Sequence, residues 1–341
     1  MIDTVASVNL MVEDTLKIKK NRLMPDFTTG NEKRICLVSG TYGDELQGQY
    51  VCYEVIRRIK ENFDKLAGIV DVYPSINPLG MEAKTRDIPF IKLDMNELFP
   101  GTRSGTVGEY IASCLVDDML ESEDGPKAEF CLDIHGSNMY IHEIPQIRLN
   151  DDVVDDLFPY VSRLNTDMVW VHPSNQVKNG SLCYELNARG INSCVTESCY
   201  AYEISQEYGN QLVDGIFAVM HDMGIWKGEC PTVKSPVLTG DDRMIYLNSE
   251  TSGIFLPDVR LHDTVSRGQR IGRVVNVITG SVEQQIVSTE SGMVCGLRAY
   301  PAIEVGSLLA RIVADESVVK TKKSFSFGSG ILSMFRKGGE A

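Results

Sequence analysis

Lys33-Arg34-Ile35-Cys36-Leu37-Val38-Ser39-Gly40-Thr41-Tyr42-Gly43-Asp44-Glu45 is an apolar run that ends in a glycine-flanked turn carrying two carboxylates. It reads as a buried strand running into a turn. The segment after it predicts a helix over 46–63, because Cys52, Ile56, Ile59 and Phe63 recur at helical spacing. In open α/β sheets, sites form at the carboxyl ends of strands, so the turn at 42–45 is the first candidate. Gly and Asp are also ordinary punctuation between strand and helix. The turn alone does not choose between the two explanations.

Outward from this stretch, strand-like and helical patterns alternate. Ala6-Ser7-Val8-Asn9-Leu10-Met11-Val12 is a β segment, followed by Ile69-Val70-Asp71-Val72-Tyr73, Phe130-Cys131-Leu132-Asp133-Ile134, Met168-Val169-Trp170-Val171 and Ser193-Cys194-Val195-Thr196. Helical patterns occupy 105–120 and 205–223. Such alternation predicts a mixed α/β sheet flanked by helices, here over residues 1–230. After Cys230-Pro231 the pattern changes. From 244 to 313 short Val/Ile/Leu runs are broken by Gly253, Pro257, Gly268, Gly272, Gly280, Gly292, Gly296, Pro301 and Gly306, which predicts an all-β sandwich or barrel domain over 231–318. The stretch 319–341 mixes Lys320, Lys322, Lys323, Arg336 and Lys337 with Phe325, Phe327 and Phe335. Gly328 and Gly330 interrupt it, and a mobile end is expected rather than a membrane-surface helix.

At 341 residues the chain is long enough for more than one domain, and 43% hydrophobic with 23% charged residues is ordinary globular composition. A net charge of −14 argues against a nucleic-acid surface, which needs clustered Lys and Arg. The nine cysteines are odd in number, form no Cys-x-x-Cys pair and lie mostly inside apolar runs. Buried free thiols in a reducing compartment are expected. With no basic-then-apolar leader and no apolar window as long as a membrane span, the expected location is cytoplasmic. Association into a homo-oligomer is left open.

Four further motifs follow the turn: Asn77-Pro78-Leu79-Gly80 with Arg86, Leu93-Asp94-Met95-Asn96-Glu97-Leu98-Phe99-Pro100-Gly101, Leu132-Asp133-Ile134-His135-Gly136, and Cys194-Val195-Thr196-Glu197. In this order and spacing the set resembles the succinylglutamate desuccinylase/aspartoacylase family, relatives of the zinc carboxypeptidases, over most of the chain. The resemblance implies a zinc-carboxypeptidase-like α/β domain and a lipoyl-like β-sandwich, to which Leu261–Gly272 and Ser291-Gly292-Met293-Val294 are similar. No Met-Lys-Met-type hairpin is present, so no carried biotin or lipoate is expected.

Residue by residue, the resemblance implies one zinc ion held by Glu45 and His135. The family's other histidine ligand falls on Tyr42. A phenol titrates at about 10 against about 6.5 for imidazole and must lose its proton to bind well. Three outcomes stay open: Tyr42 binds as phenolate, Asp44 or another neighbour substitutes, or the metal is lost. His142 and His172 are candidates only where the fold brings them close. Glu197 matches the glutamate that moves the proton from water to the leaving amine, and Arg86 the arginine that polarises the scissile carbonyl. Asn96 and Glu97 fall where the family has Asn-Arg, the substrate-binding pair, so Glu97 reverses the sign and favours a cationic or amine-bearing group. Arg103 or Arg148 is a substitute cation from another position. As ordinary explanations, each of these charges can equally face solvent, and a lone histidine is more often structural.

The expected function is metal-dependent hydrolysis of a small N-acyl amide lacking the usual carboxylate handle. Its alternative is a non-catalytic cleft that binds a ligand or protein. A thiol nucleophile between Cys194 and Cys199 lacks a histidine partner identifiable from sequence.

Overall fold

The computed structural model describes residues 1–89, 91–120, 125–174 and 180–315; the stretch 319–341 lies outside them. Strand β3 (Arg34–Ser39) is buried along its whole length. It lies between β4 (Ile69–Tyr73) and β5 (Phe130–Ile134), parallel to both, with Ile35 opposite Val70 and Phe130. Burial on both faces is why these strands read as continuous apolar runs. Side chains alternate across the sheet. Ile35 and Leu37 enter one core with α1 (Gln47–Glu61) and α6 (Gln206–Asp222), while Cys36 and Val38 enter another with α3 (Val107–Leu120) and α5 (Leu182–Ala188).

Beyond β4 the sheet continues antiparallel through β2 (Thr15–Leu23) to β1 (Ile2–Asn9). Asp71 of β4 is buried between Arg22 at 2.7 Å and Arg34 at 2.5 Å. Burial alone would raise the Asp71 carboxyl, but the Arg22 hydrogen bond and both cations hold it below the usual range.

On the other side β5 pairs with parallel β8 (Asn192–Cys199), and β8 with antiparallel β6 (Ile141–Asn150). The late half of β6 pairs with β7 (Met168–His172), which pairs with β9 (Val237–Gly240); α4 (Val154–Val161) connects β6 to β7 and the short α2 (Pro78–Ala83) follows β4. The early half of β6 pairs with β15 (Gly292–Arg298), Gly296 opposite Glu143. Antiparallel β17 (Leu308–Ala314) and β10 (Met244–Asn248) extend that edge, and the two-residue β12 (Thr264–Val265) also pairs with β15. A second sheet of β14 (Val282–Val287), β13 (Arg270–Val275), β11 (Gly253–Pro257) and β16 (Ala302–Ile303) packs on this region around Phe255, Ile271, Val294 and Leu309. The fold is thus a mixed α/β sheet with helices followed by a C-terminal antiparallel β region, and β6 hydrogen-bonds into both.

Candidate active site

The turn after β3 is shaped by contact with α2. A Cβ on Gly43 would lie 2.0 Å from the Gly80 carbonyl carbon, so no larger residue fits without moving backbone. Asn77 caps α2, its Oδ1 accepting from Gly80 N at 2.9 Å. Its Nδ2 donates to the Arg86 carbonyl at 3.3 Å, and Gly43 N donates to the same oxygen at 3.3 Å. The Asn-Pro-Leu-Gly motif therefore fixes the loop that delivers Arg86. That guanidinium lies 3.4 Å from the Tyr42 ring centroid, and its Nη1 is 2.9 Å from Glu45 Oε1.

His135 follows β5 and is nearly fully buried. Its Nδ1 lies 2.9 Å from Glu45 Oε2 and its Nε2 3.0 Å from Asp133 Oδ2, while Gly136 N donates to Glu45 Oε2 at 3.1 Å. Desolvation would lower the imidazole pKa, but the charges of Asp133 and Glu45 outweigh it and hold the ring protonated well above its usual range. Burial raises the Glu45 carboxyl, opposed by His135 and Arg86. Burial also pushes the Tyr42 phenol above its usual range, only partly countered by Arg86, so the phenol keeps its proton at neutral pH. Its hydroxyl donates to Asp94 Oδ2 at 3.3 Å.

These contacts test the zinc site. Glu45 Oε2 and His135 Nδ1 converge as two ligands of one ion would, with Asp133 behind Nε2 in the place of the carboxylate that orients a metal-binding histidine. A catalytic zinc takes three protein donors. The third position is a protonated phenol turned to Asp94, and Arg86 already supplies a cation to Glu45. Two donors and a resident guanidinium do not fit the three-ligand ion.

Across the cavity, Glu197 of β8 meets Arg148 of β6 at 2.8 Å. Burial raises the Glu197 carboxyl to about 7 against the pull of Arg148, and its remaining 19% exposure faces the cavity. Glu143 of β6 is buried beside Arg148 at 3.0 Å, pairs with Arg311 of β17, and accepts from Ser137 Oγ at 2.7 Å. Burial would raise its carboxyl, but the two arginines win and bring it to about 2. The cavity, of about 300 Å³, is lined by Tyr42, Glu45, Arg86, Asn96, Glu97, His135, Glu143, Arg148, Glu197 and Arg311, among others.

All seven residues selected from sequence thus line one cavity. The Asn96 side-chain oxygen accepts from Leu182 N at 3.2 Å, so this residue also ties the start of α5 to the wall. Arg148 reaches the cavity, whereas Arg103 pairs with Asp117 on α3, away from it. Asp44, His142, His172 and Cys194 are not in the lining; His172 pairs with Asp241 at 3.0 Å. Sequence reasoning missed Glu143 and Arg311. Arg311 stands out as the one charge in the apolar strand β17, whereas Glu143 shares β6 with other polar residues and carries no such signal; nothing in either strand named the partner 168 residues away.

Residues 31–223 match the succinylglutamate desuccinylase/aspartoacylase catalytic domain. An N-alpha-acetyl-L-2,4-diaminobutyric acid deacetylase of Halomonas elongata is 24% identical over 289 residues, covering 81% of this chain and 80% of its own. Among solved structures, the product-bound ectoine utilization protein EutE (DoeB) of Ruegeria pomeroyi superposes with a TM-score of 0.74 at 20% identity, covering 89% of this chain and 90% of that one. A succinylglutamate desuccinylase of a Silicibacter species gives 0.75 at 21% identity, covering 88% and 89%. The five ordered motifs, the β3-centred sheet and the domain match over more than half its length agree, and the chain belongs to the succinylglutamate desuccinylase/aspartoacylase family.

Proposed function

We propose that the cavity hydrolyses the amide of a small N-acylated amine, with Glu197 as general base and acid, Arg86 as the cation facing the acyl oxygen and protonated His135 adding positive charge beside it. The observation that carries this reading is the sharing of one cavity by Glu197, Arg86 and His135. Ionised Glu197 removes a proton from water as the oxygen attacks the acyl carbon. Charge then develops on the carbonyl oxygen, where fixed cations stabilise it. Glu197 returns the proton to the nitrogen as the C–N bond breaks, giving a carboxylic acid and a free amine. The positive charge that zinc supplies in the family comes here from Arg86 and the imidazolium.

The substrate carries a second, cationic amino group. Support comes from Glu97 in the wall, where the family has arginine, and from the Halomonas relative, whose name assigns it an acetylated diamino acid. Incubation with N-acetyl-2,4-diaminobutyrate, N-acetylputrescine, N-acetylaspartate and succinylglutamate, with acetate, succinate and free amine measured, tests the reading. Release is expected from the first two, falling by about 10²–10⁴ in Glu197→Gln. Preferential turnover of the last two overturns the substrate assignment. Tyr42 at a ligand position favours one rival, a cleft that binds such amides without cleaving them. Saturable binding by calorimetry with no turnover would establish that rival.

A further inference from the structure

His142, Cys199 and Glu203 took no part in the cavity, yet the fold gathers them. One donor atom from each lies within 4.8 Å of the other two. His142 precedes Glu143 on β6 and, like Cys199 and Glu203, is not among the residues that line the cavity. Cys199 ends β8 directly opposite Glu143 in the strand register, and Glu203 follows in the next turn.

Three observations make this more than a chance grouping. His142 Nε2 and Glu203 Oε2 lie 3.5 Å apart, and each is buried without a hydrogen-bond partner, which is costly for polar atoms. Cys199 has a φ of +61°, a left-handed conformation that a non-glycine residue adopts only when its surroundings impose it. The donors are one thiol, one imidazole and one carboxylate, a set suited to zinc. Among the described residues one other such grouping, His221–Asp222–Cys230, lies at the end of α6, where Arg163 already donates to Asp222 at 2.7 Å and to Cys230 Sγ at 3.2 Å.

We propose that His142, Cys199 and Glu203 form a zinc-binding site separate from the cavity, with a fourth position open to water. His142 and Glu203, at 32% and 34% exposed, place the site near the protein surface, with their donor atoms themselves buried. On binding, the Cys199 S–H bond breaks, the proton passes to solvent and the sulfur pair forms the bond to the ion. The ion fixes the 199–203 turn. Tyr202 N in that turn donates to the Asp44 carbonyl at 2.8 Å, next to the cavity's Glu45, so the site stiffens the back of the cavity wall.

Titration of metal-free protein with Co²⁺ tests this, because a thiolate ligand gives a sulfur-to-cobalt charge-transfer band in the near ultraviolet. Among the described residues no cysteine lines the cavity, so the band reports this site whether or not the cavity also takes metal. The expected result is a band complete at one equivalent, retained in His135→Ala and Cys230→Ser and absent in Cys199→Ser. In Glu203→Gln, a change in a half-exposed turn that leaves the core intact, the band is retained with affinity reduced at least about tenfold. Absence of a band in the parent overturns the proposal. So does a band that survives Cys199→Ser, or one lost in Cys230→Ser.

Discussion

At Tyr42 one aromatic ring replaces a donor with a platform. Its buried phenol keeps its proton, and Arg86 stacks on its face at 3.4 Å while reaching Glu45. Restoring imidazole should restore ligation. In a Cys199→Ser background, which silences the second site, Tyr42→His is expected to copurify with close to one zinc per chain and the Tyr42 protein with far less. Near-stoichiometric zinc in the latter, lost in His135→Ala, would show that the phenol ligates despite its burial. Glu197 sets the pH response. Its carboxyl is raised to about 7, and a general base must be ionised, so kcat/KM should climb with pH toward a plateau above that value. Glu197→Gln should remove the rising limb; a limb left unchanged would assign it to another group.

At the scale of elements, the site depends on two backbones meeting. The β3–α1 turn and α2 touch through Gly43 and Gly80, and both Gly43 N and Asn77 hold the Arg86 carbonyl. Gly43→Ala forces them apart, and overpacking of this kind costs about 1–3 kcal/mol. The expected outcome is a modest drop in thermal midpoint with a much larger loss of turnover, because Arg86 moves while the sheet does not. An equal and small effect on both would show that the loop adapts. Asn77-Pro78-Leu79-Gly80 was legible as a loop-shaping motif, since Asn capping with Pro at the first helical position is a local rule. The close approach of the two glycines was not, because it is set by where α2 docks.

At the scale of the whole molecule, the buried Glu143 of β6 reaches β17 through Arg311, with Arg148 of its own strand as second partner, linking the α/β sheet to the C-terminal β region. Glu143→Gln takes the carboxylate from Arg311 and leaves Arg148 with Glu197 alone. Denaturant unfolding should show a loss at the lower end of the ~3–5 kcal/mol typical of broken buried pairs, since both arginines keep some contact with water. Because its carboxyl is lowered from 4.5 to about 2, the stability it contributes is present above pH 4.5 and lost as pH falls toward 2. The parent should lose stability through that window more steeply than Glu143→Gln, and parallel acid profiles would refute the assignment. The sequence by itself determined the strand–turn–helix core, the change to β structure after residue 230 and the seven cavity residues selected from it. Periodicity, turn chemistry and ordered motifs are local properties of a chain. Only the tertiary structure decided what completes the site. Pairing of β15 with β6 brings Arg311 to Glu143, packing sets Arg86 on Tyr42, and the end of β8 gathers Cys199, Glu203 and His142. Those contacts join residues far apart in sequence, and no local pattern records how strands register or how far a loop is carried.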